Sequence, residues 1–286
     1  MWRVAGLNEG CIVIAQQEAP VGTMRCCADV HRHLKLLAPG CLALWVLLSF
    51  PHTRLVFPAQ GDEEKFRQLR ERMVELQLAH PRDNLGGAIR NPRVLEAMRQ
   101  TPRHHFVPPG IMPLAYEDSP LPIGHAQTIS QPYIVAKMTE LAEPKSSDRA
   151  LEVGTGSGYQ AAVLASLVAE VFTIEIVEPL GLAARQRLRA LGYKNVAVRI
   201  GDGYQGWPEK APFDIILVTA AAEKIPPALT EQLKPGGRMV IPLGRTSEIQ
   251  VLTLVRKDRK SPGHISIREV LPVRFVPLVT TPREKK

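Results

Sequence analysis

The chain has 286 residues, 45% hydrophobic and 22% charged, with a formal net charge of +8. That composition supports a sizeable core and excludes a disordered or fibrous chain. The basic residues are scattered among acids and densest at 256–260 and 283–286, which reads as a solvated surface and tail rather than a nucleic-acid footprint.

Residues 1–60 stand apart as an N-terminal extension. They hold all four cysteines, Cys11, Cys26, Cys27 and Cys41, so the rest of the chain needs no disulfide, as in a reducing compartment. Cys26, Cys27, His31 and His33 match no zinc-ligand spacing, and no metal site is expected. The apolar run 41–50 is about half the roughly twenty residues that a bilayer span requires. It is long enough for a signal-peptide core flanked by basic residues 31–35, with Met24 as an alternative start and 57–60 as a poor cleavage site. The extension is therefore either signal-like or unstructured, and no stable membrane association is expected.

From residue 61 the chain reads as one domain, 61–286. Phe66, Leu69, Met73, Leu76 and, less strictly, Val74 recur at helical spacing over 62–78, with Asp62 as N-cap. A second helix starts at Asn91-Pro92 and runs through Val94, Leu95 and Met98. Residues 101–122 contain six prolines and form a long irregular connection, anchored by Phe106, Val107, Ile111, Leu114 and Tyr116. Long irregular stretches inside compact domains are often functional. Ser130 precedes Gln131-Pro132 and an apolar face of Ile134, Val135, Met138 and Leu141, an N-cap position. Strands at 149–153, 171–176, 196–200, 213–219 and 238–243 then alternate with helices at 159–168, 179–191 and 222–233, with a turn at 234–237. Strands at 249–256 and 267–276 follow with no helix between them. This order predicts an α/β fold: a doubly wound, Rossmann-like parallel sheet with an antiparallel C-terminal edge and extra N-terminal helices.

The most informative segment is Leu151-Glu-Val-Gly-Thr-Gly-Ser-Gly-Tyr159. Three alternate glycines between a strand and a helix allow a sharp turn and close approach of a ligand. The dinucleotide spacing fails, because the sixth position is Tyr159, and the Gly-Lys-Ser/Thr of a phosphate loop is absent. Glu152 suits a ligand with a cationic end, such as the amino-acid part of S-adenosylmethionine. Glu175 ends the next strand, where a carboxylate can accept from ribose hydroxyls. Asp202, in Gly201-Asp-Gly203, follows the third strand and can accept from an adenine amino group. Three acids thus fall on one edge of the sheet.

Gln127-Thr-Ile-Ser-Gln-Pro132, the glycine segment, Gly201-Asp-Gly-Tyr-Gln-Gly-Trp207, Ala211-Pro-Phe-Asp214, Gln232-Leu-Lys-Pro-Gly-Gly237 and Arg274-Phe-Val-Pro-Leu278 occur in order. Together they resemble the protein-L-isoaspartate O-methyltransferase family over about residues 62–280. The Thr-Ile-Ser-Gln-Pro segment is the family-specific part. The resemblance implies transfer of a methyl group from S-adenosylmethionine to the carboxylate of L-isoaspartyl residues in damaged proteins and peptides, which starts their repair through a succinimide. It implies Ser130 as the active-site residue, and a cofactor site formed by Thr128, Ile129, Glu152, Val153, Gly154, Thr155, Gly156, Glu175, Gly201 and Asp202. One departure stands beside the site: His125 in Gly124-His-Ala-Gln127. With no acid–base set required, His104, His105 and His125 are assigned to the surface or the pocket lining.

The alternatives are a methyltransferase acting on another carboxylate or small molecule, and a non-catalytic nucleotide- or peptide-binding protein. Base-amino methyltransferases are disfavoured, because 218–223 lacks the Asn/Asp-Pro-Pro-aromatic loop. The protein is expected to be a cytoplasmic monomer without a nucleic-acid partner. The N-terminal apolar run leaves export open. The apolar segment 273–278 reads equally well as a sheet edge and as a strand that pairs with an extended peptide.

Overall fold

A computed structural model describes residues 60–81, 86–261 and 263–280. The extension 1–59, with its cysteines and apolar run, lies outside them. Helix α1 (Gln60–Met73) continues into a π-helical turn, Val74–Ala79. Asp62 therefore lies inside the first turn and is not the N-cap. The wide turn also rotates the apolar face: Val74 and Leu78 are completely buried, while Leu76, expected to pack, is 51% exposed. Helix α2 (Pro92–Gln100) begins as its sequence dictates. The Asn91 side chain accepts from the amides of Arg93 and Val94 at 3.0 and 3.4 Å, satisfying donors that a helix start leaves unpaired.

The proline-rich stretch forms two 3₁₀ turns, Arg103–Phe106 and Pro109–Leu114. Phe106, Val107 and Tyr116 anchor it in the core, whereas Leu114 is exposed. Its most buried members are polar. Arg103 has no exposed surface; it donates to the Ala115 carbonyl at 2.7 Å and lies 4.9 Å over the Tyr159 ring. His104 is also fully buried, which corrects its assignment to the surface or the pocket lining. A hairpin follows, β1 (Leu121–Gly124) and β2 (Gln127–Ile129). Its two-residue turn holds His125 and Ala126 at φ +52° and +55°, the left-handed pair that tight hairpins require. Helix α3 (Pro132–Leu141) comes next.

The main sheet contains β3 (Arg149–Val153), β4 (Glu170–Glu175), β5 (Val196–Ile200), β6 (Phe213–Val218), β7 (Leu233–Leu243), β8 (Gln250–Lys257) and β9 (Ile265–Val273). Its spatial order is β5-β4-β3-β6-β7-β8-β9. β3 lies parallel to β4 and β6, and β8 runs antiparallel to β7 and β9, so the doubly wound sheet with an antiparallel edge is the observed fold. Helices α4 (Tyr159–Ala165), α5 (Glu178–Ala190) and α6 (Pro227–Gln232) connect the strands. α6 starts later than its pattern suggested, because Pro226 and Pro227 confine the helix start to the position where a missing N–H is harmless. Residues 234–237 extend β7 rather than forming a separate turn.

Strand alternation divides the interior. Ala150, Ile215, Leu217 and Val240 face a core shared with α1 to α4, and Leu151, Val153, Ile216, Val218, Met239 and Ile241 face a second core shared with α6. The strand order reverses between β3 and β6. A crevice opens at the carboxyl ends of strands at such a point.

Candidate active site

The glycine loop occupies that crevice. Gly154, Gly156 and Gly158 take φ of +101°, +53° and +92°, a region costly for residues with a side chain. Space is short as well: a Cβ on Gly154 would lie 2.5 Å from Thr219 Oγ1, and one on Gly203 would lie 2.3 Å from Val153 Cγ1. Thr219, the residue after β6, donates its hydroxyl to the carbonyls of Val153 and Gly154 at 3.0 and 2.7 Å. It pins the loop to the neighbouring strand.

The loop floors an open cleft holding about 880 Å³ outside the protein atoms, its mouth and open solvent included. Thr128, Ile129, Ser130, Glu152, Val153, Gly154, Thr155, Gly156 and Glu175 all line it. Gly201 and Asp202 lie outside the lining, which the next residue, Gly203, joins. Sequence reasoning missed Ser157, Thr219 and residues 276–279, which also line it. The signal for Thr219 was available, as it directly follows the strand across the switch point. Residues 276–279 gave none, since an apolar tail after a last strand reads as sheet.

The two buried acids differ in their surroundings. Glu175 accepts from the Gly156 amide at 2.7 Å through one oxygen and from the Val177 amide at 2.9 Å through the other. Glu152 is fully buried, and neither of its oxygens has a hydrogen-bond partner. Burial pushes its carboxyl up to about 8; the nearby Thr173 hydroxyl opposes the rise and the Glu175 charge adds to it. A buried, unpartnered carboxyl in a cleft fits a cationic ligand group and resists an anionic one. Asp202 accepts from the Tyr204 amide at 2.8 Å and from the Thr280 hydroxyl.

Ser130 departs from its expected local role. The N-cap of α3 is Gln131, and no side chain caps the helix. With Pro132 at the first position, one orphan donor is already absent, and Ser130 falls a residue too early. It forms instead part of the wall between the main cleft and a second, smaller pocket lined by Pro120, Gln131, Ile134, Val273, Arg274 and Phe275. In that second pocket Gln131 is buried, and its Oε1 has no hydrogen-bond partner.

The expected closing strand over 273–278 is also revised. β9 ends at Val273. Beyond it, Phe275 N donates to Gln250 Oε1 at 2.9 Å, and the Ala221 and Leu278 amides pair with the Val276 and Ala221 carbonyls. Residues 276–279 line the cleft, and the backbone of the segment is already engaged.

Comparison with known proteins follows the same geometry. The sequence profile described as Protein-L-isoaspartate(D-aspartate) O-methyltransferase (PCMT) matches residues 78–283, well over half of the chain. The chain belongs to the protein-L-isoaspartate O-methyltransferase family. Among its curated relatives, protein-L-isoaspartate O-methyltransferase 2 of Polaromonas sp. (strain JS666) is 63% identical over 186 residues, covering 65% of this chain and 87% of the relative. The enzyme of the same name from Syntrophobacter fumaroxidans is 51% identical over 239 residues, covering 84% and 96%. A solved protein-L-isoaspartate O-methyltransferase superposes with a TM-score of 0.62 at 28% identity, covering 75% of this chain and 65% of that one. The fold is also that of a Plasmodium falciparum protein solved in complex with S-adenosyl-L-homocysteine, at a TM-score of 0.58 and 24% identity, covering 77% of this chain and 98% of that one.

Proposed function

We propose that the protein transfers a methyl group from S-adenosylmethionine to the free carboxylate of L-isoaspartyl residues in damaged proteins and peptides. The observation that carries this reading is the pairing of an unpartnered, buried Glu152 with a second pocket that shares Ser130 with the glycine cleft. One compartment suits a cationic cofactor, and the other suits a peptide acceptor.

When bound, S-adenosylmethionine supplies an electrophilic methyl group on a cationic sulfur. Glu152 would hold its positively charged amino-acid end. Val153, Gly154, Thr155 and Gly156 let it approach the backbone, while Thr128 and Ile129 close the cleft from β2. Glu175 keeps a lone pair on each oxygen for ribose hydroxyls. Gly201 and Asp202, just outside the cleft lining, would hold the base, with Asp202 exchanging its bond from Thr280 for one from the adenine.

The acceptor carboxylate is ionised at neutral pH and needs no strong base. The protein's task is alignment and exclusion of water. Ser130 donates to the acceptor carboxylate and holds it toward the glycine cleft. Gln131 Oε1 accepts from a peptide N–H in the second pocket. The methyl ester then closes to a succinimide without further help.

Residues 61–286 form the catalytic domain, and 1–60 are an extension outside it. Among the described residues no helix is long and apolar enough to cross a membrane. The cytosol, where the cofactor is made, is the proposed site of action, and the monomer the proposed active form. The reading is tested by incubating an isoaspartyl peptide with protein and cofactor and following it by chromatography and mass spectrometry. The methyl ester, then the succinimide, then ordinary aspartyl peptide should accumulate. An unchanged peptide in the presence of bound cofactor would sink it.

A further inference from the structure

Outside the cleft lining, three metal-ligating side chains converge. Glu63 stands in the first turn of α1, and His104 and His105 are adjacent in the first 3₁₀ turn. The Nε2 atoms of both histidines lie 3.3 Å from the same oxygen, Glu63 Oε1, and all three donor atoms fall within 4.8 Å of one another. We propose that Glu63, His104 and His105 form a binding site for one divalent transition-metal ion of the zinc class, joining α1 to the 3₁₀ turn.

Without an ion these contacts are a long hydrogen bond from His104 and a matching approach by His105; the same spacing accommodates a bound ion. Bonds of about 2.0–2.1 Å arranged tetrahedrally put neighbouring ligand atoms roughly 3.3 Å apart. The third edge, between the two rings, is no longer than 4.8 Å. Two imidazoles and one carboxylate are a donor set that suits zinc and leaves a fourth position open. That position can reach water, because the Glu63 side chain is 40% exposed.

The surroundings hold the first ligand in place. His104 Nδ1 lies 2.7 Å from the Tyr116 hydroxyl, and Arg70 Nη1 donates to that hydroxyl at 3.1 Å. A hydrogen bond on the far ring nitrogen is the usual way a ligating histidine is oriented. Phe66 stacks on the same ring, with centroids 4.2 Å apart. The ion's effect would be structural. It would tie α1 to the turn carrying Arg103, which packs on Tyr159 at the start of α4.

The test is a cobalt(II) titration of the chelator-treated full chain, read by absorption, with zinc-dependent thermal unfolding alongside. Expected are visible bands of a tetrahedral nitrogen- and oxygen-ligated ion, saturating at one equivalent, and an unfolding midpoint that rises with zinc. Glu63→Gln keeps a hydrogen-bonding group at a part-exposed position, so its fold should survive. It should weaken binding by about tenfold or more, as should His105→Ala. An absent spectrum would overturn the site, as would undiminished binding by Glu63→Gln. A spectrum dominated by a thiolate charge-transfer band would place the ion on the N-terminal cysteines and overturn it too.

Discussion

Replacing Glu152 by Gln removes a charge that the empty fold resists and the cofactor requires. In the folded protein burial raises this carboxyl from an ordinary 4.5 to about 8. The folded state therefore binds more protons than the unfolded state between those values, and stability falls as pH rises through that window. At about 1.4 kcal/mol per pKa unit the ceiling is about 5 kcal/mol. Relaxation of the site and water in the open cleft lower this, and at least about 2 kcal/mol should survive. In a domain of this size that is an unfolding midpoint higher by about 4–8 °C. The ligand-free Glu152→Gln protein should thus gain stability over the parent at pH 8 and match it at pH 5. Its affinity for S-adenosylmethionine at pH 8 should fall by about tenfold or more, since a cationic group loses its counter-charge. Thermal unfolding at both pH values and calorimetric titration measure the two effects. A parent protein whose stability is flat from pH 5 to 8, or a variant destabilised equally at both, would refute the reasoning.

Three other substitutions probe the local arguments. Because Ser130 caps no helix, Ser130→Ala should leave the unfolding midpoint within the small change of an ordinary surface substitution, about 0.5 kcal/mol, while turnover drops; loss of both together would restore the capping role. Ala126→Gly should stabilise by up to about 1 kcal/mol in denaturant unfolding, since relief of about 1–2 kcal/mol of left-handed strain at φ +55° outweighs about 0.4–1 kcal/mol of added unfolded-state entropy. Arg103→Met should cost about 2 kcal/mol or more, because it removes a buried donor to Ala115 and strands that carbonyl; an unchanged denaturation midpoint would show that the guanidinium merely fills space.

What could be read from residue order was whatever depends on local pattern. The alternation after residue 149 dictated the parallel sheet, because continuous apolar runs such as 215–218 have to be covered on both faces. Glu152, Glu175 and the glycines followed from the strand-to-helix turn. What stayed hidden depended on contacts distant in sequence. The π turn after Met73 moved Leu76 to the surface. Pro132 took the first helical position and shifted the cap to Gln131, which freed Ser130. Residues 276–279 line the cleft only because Ala221 and Gln250 capture the backbone beyond β9. Glu63 and the two histidines are some forty residues apart in sequence and meet only through the packing of α1 on the 3₁₀ turn.

The central claim is that the two compartments sharing Ser130 bring a methyl donor to an isoaspartyl carboxylate. Its most direct test is methyl transfer from labelled S-adenosylmethionine to two synthetic peptides, identical except for isoaspartyl or ordinary aspartyl at one position. Base-labile label on the isoaspartyl peptide alone is the predicted result. Equal labelling of both peptides, or of neither while the cofactor binds, would contradict the account.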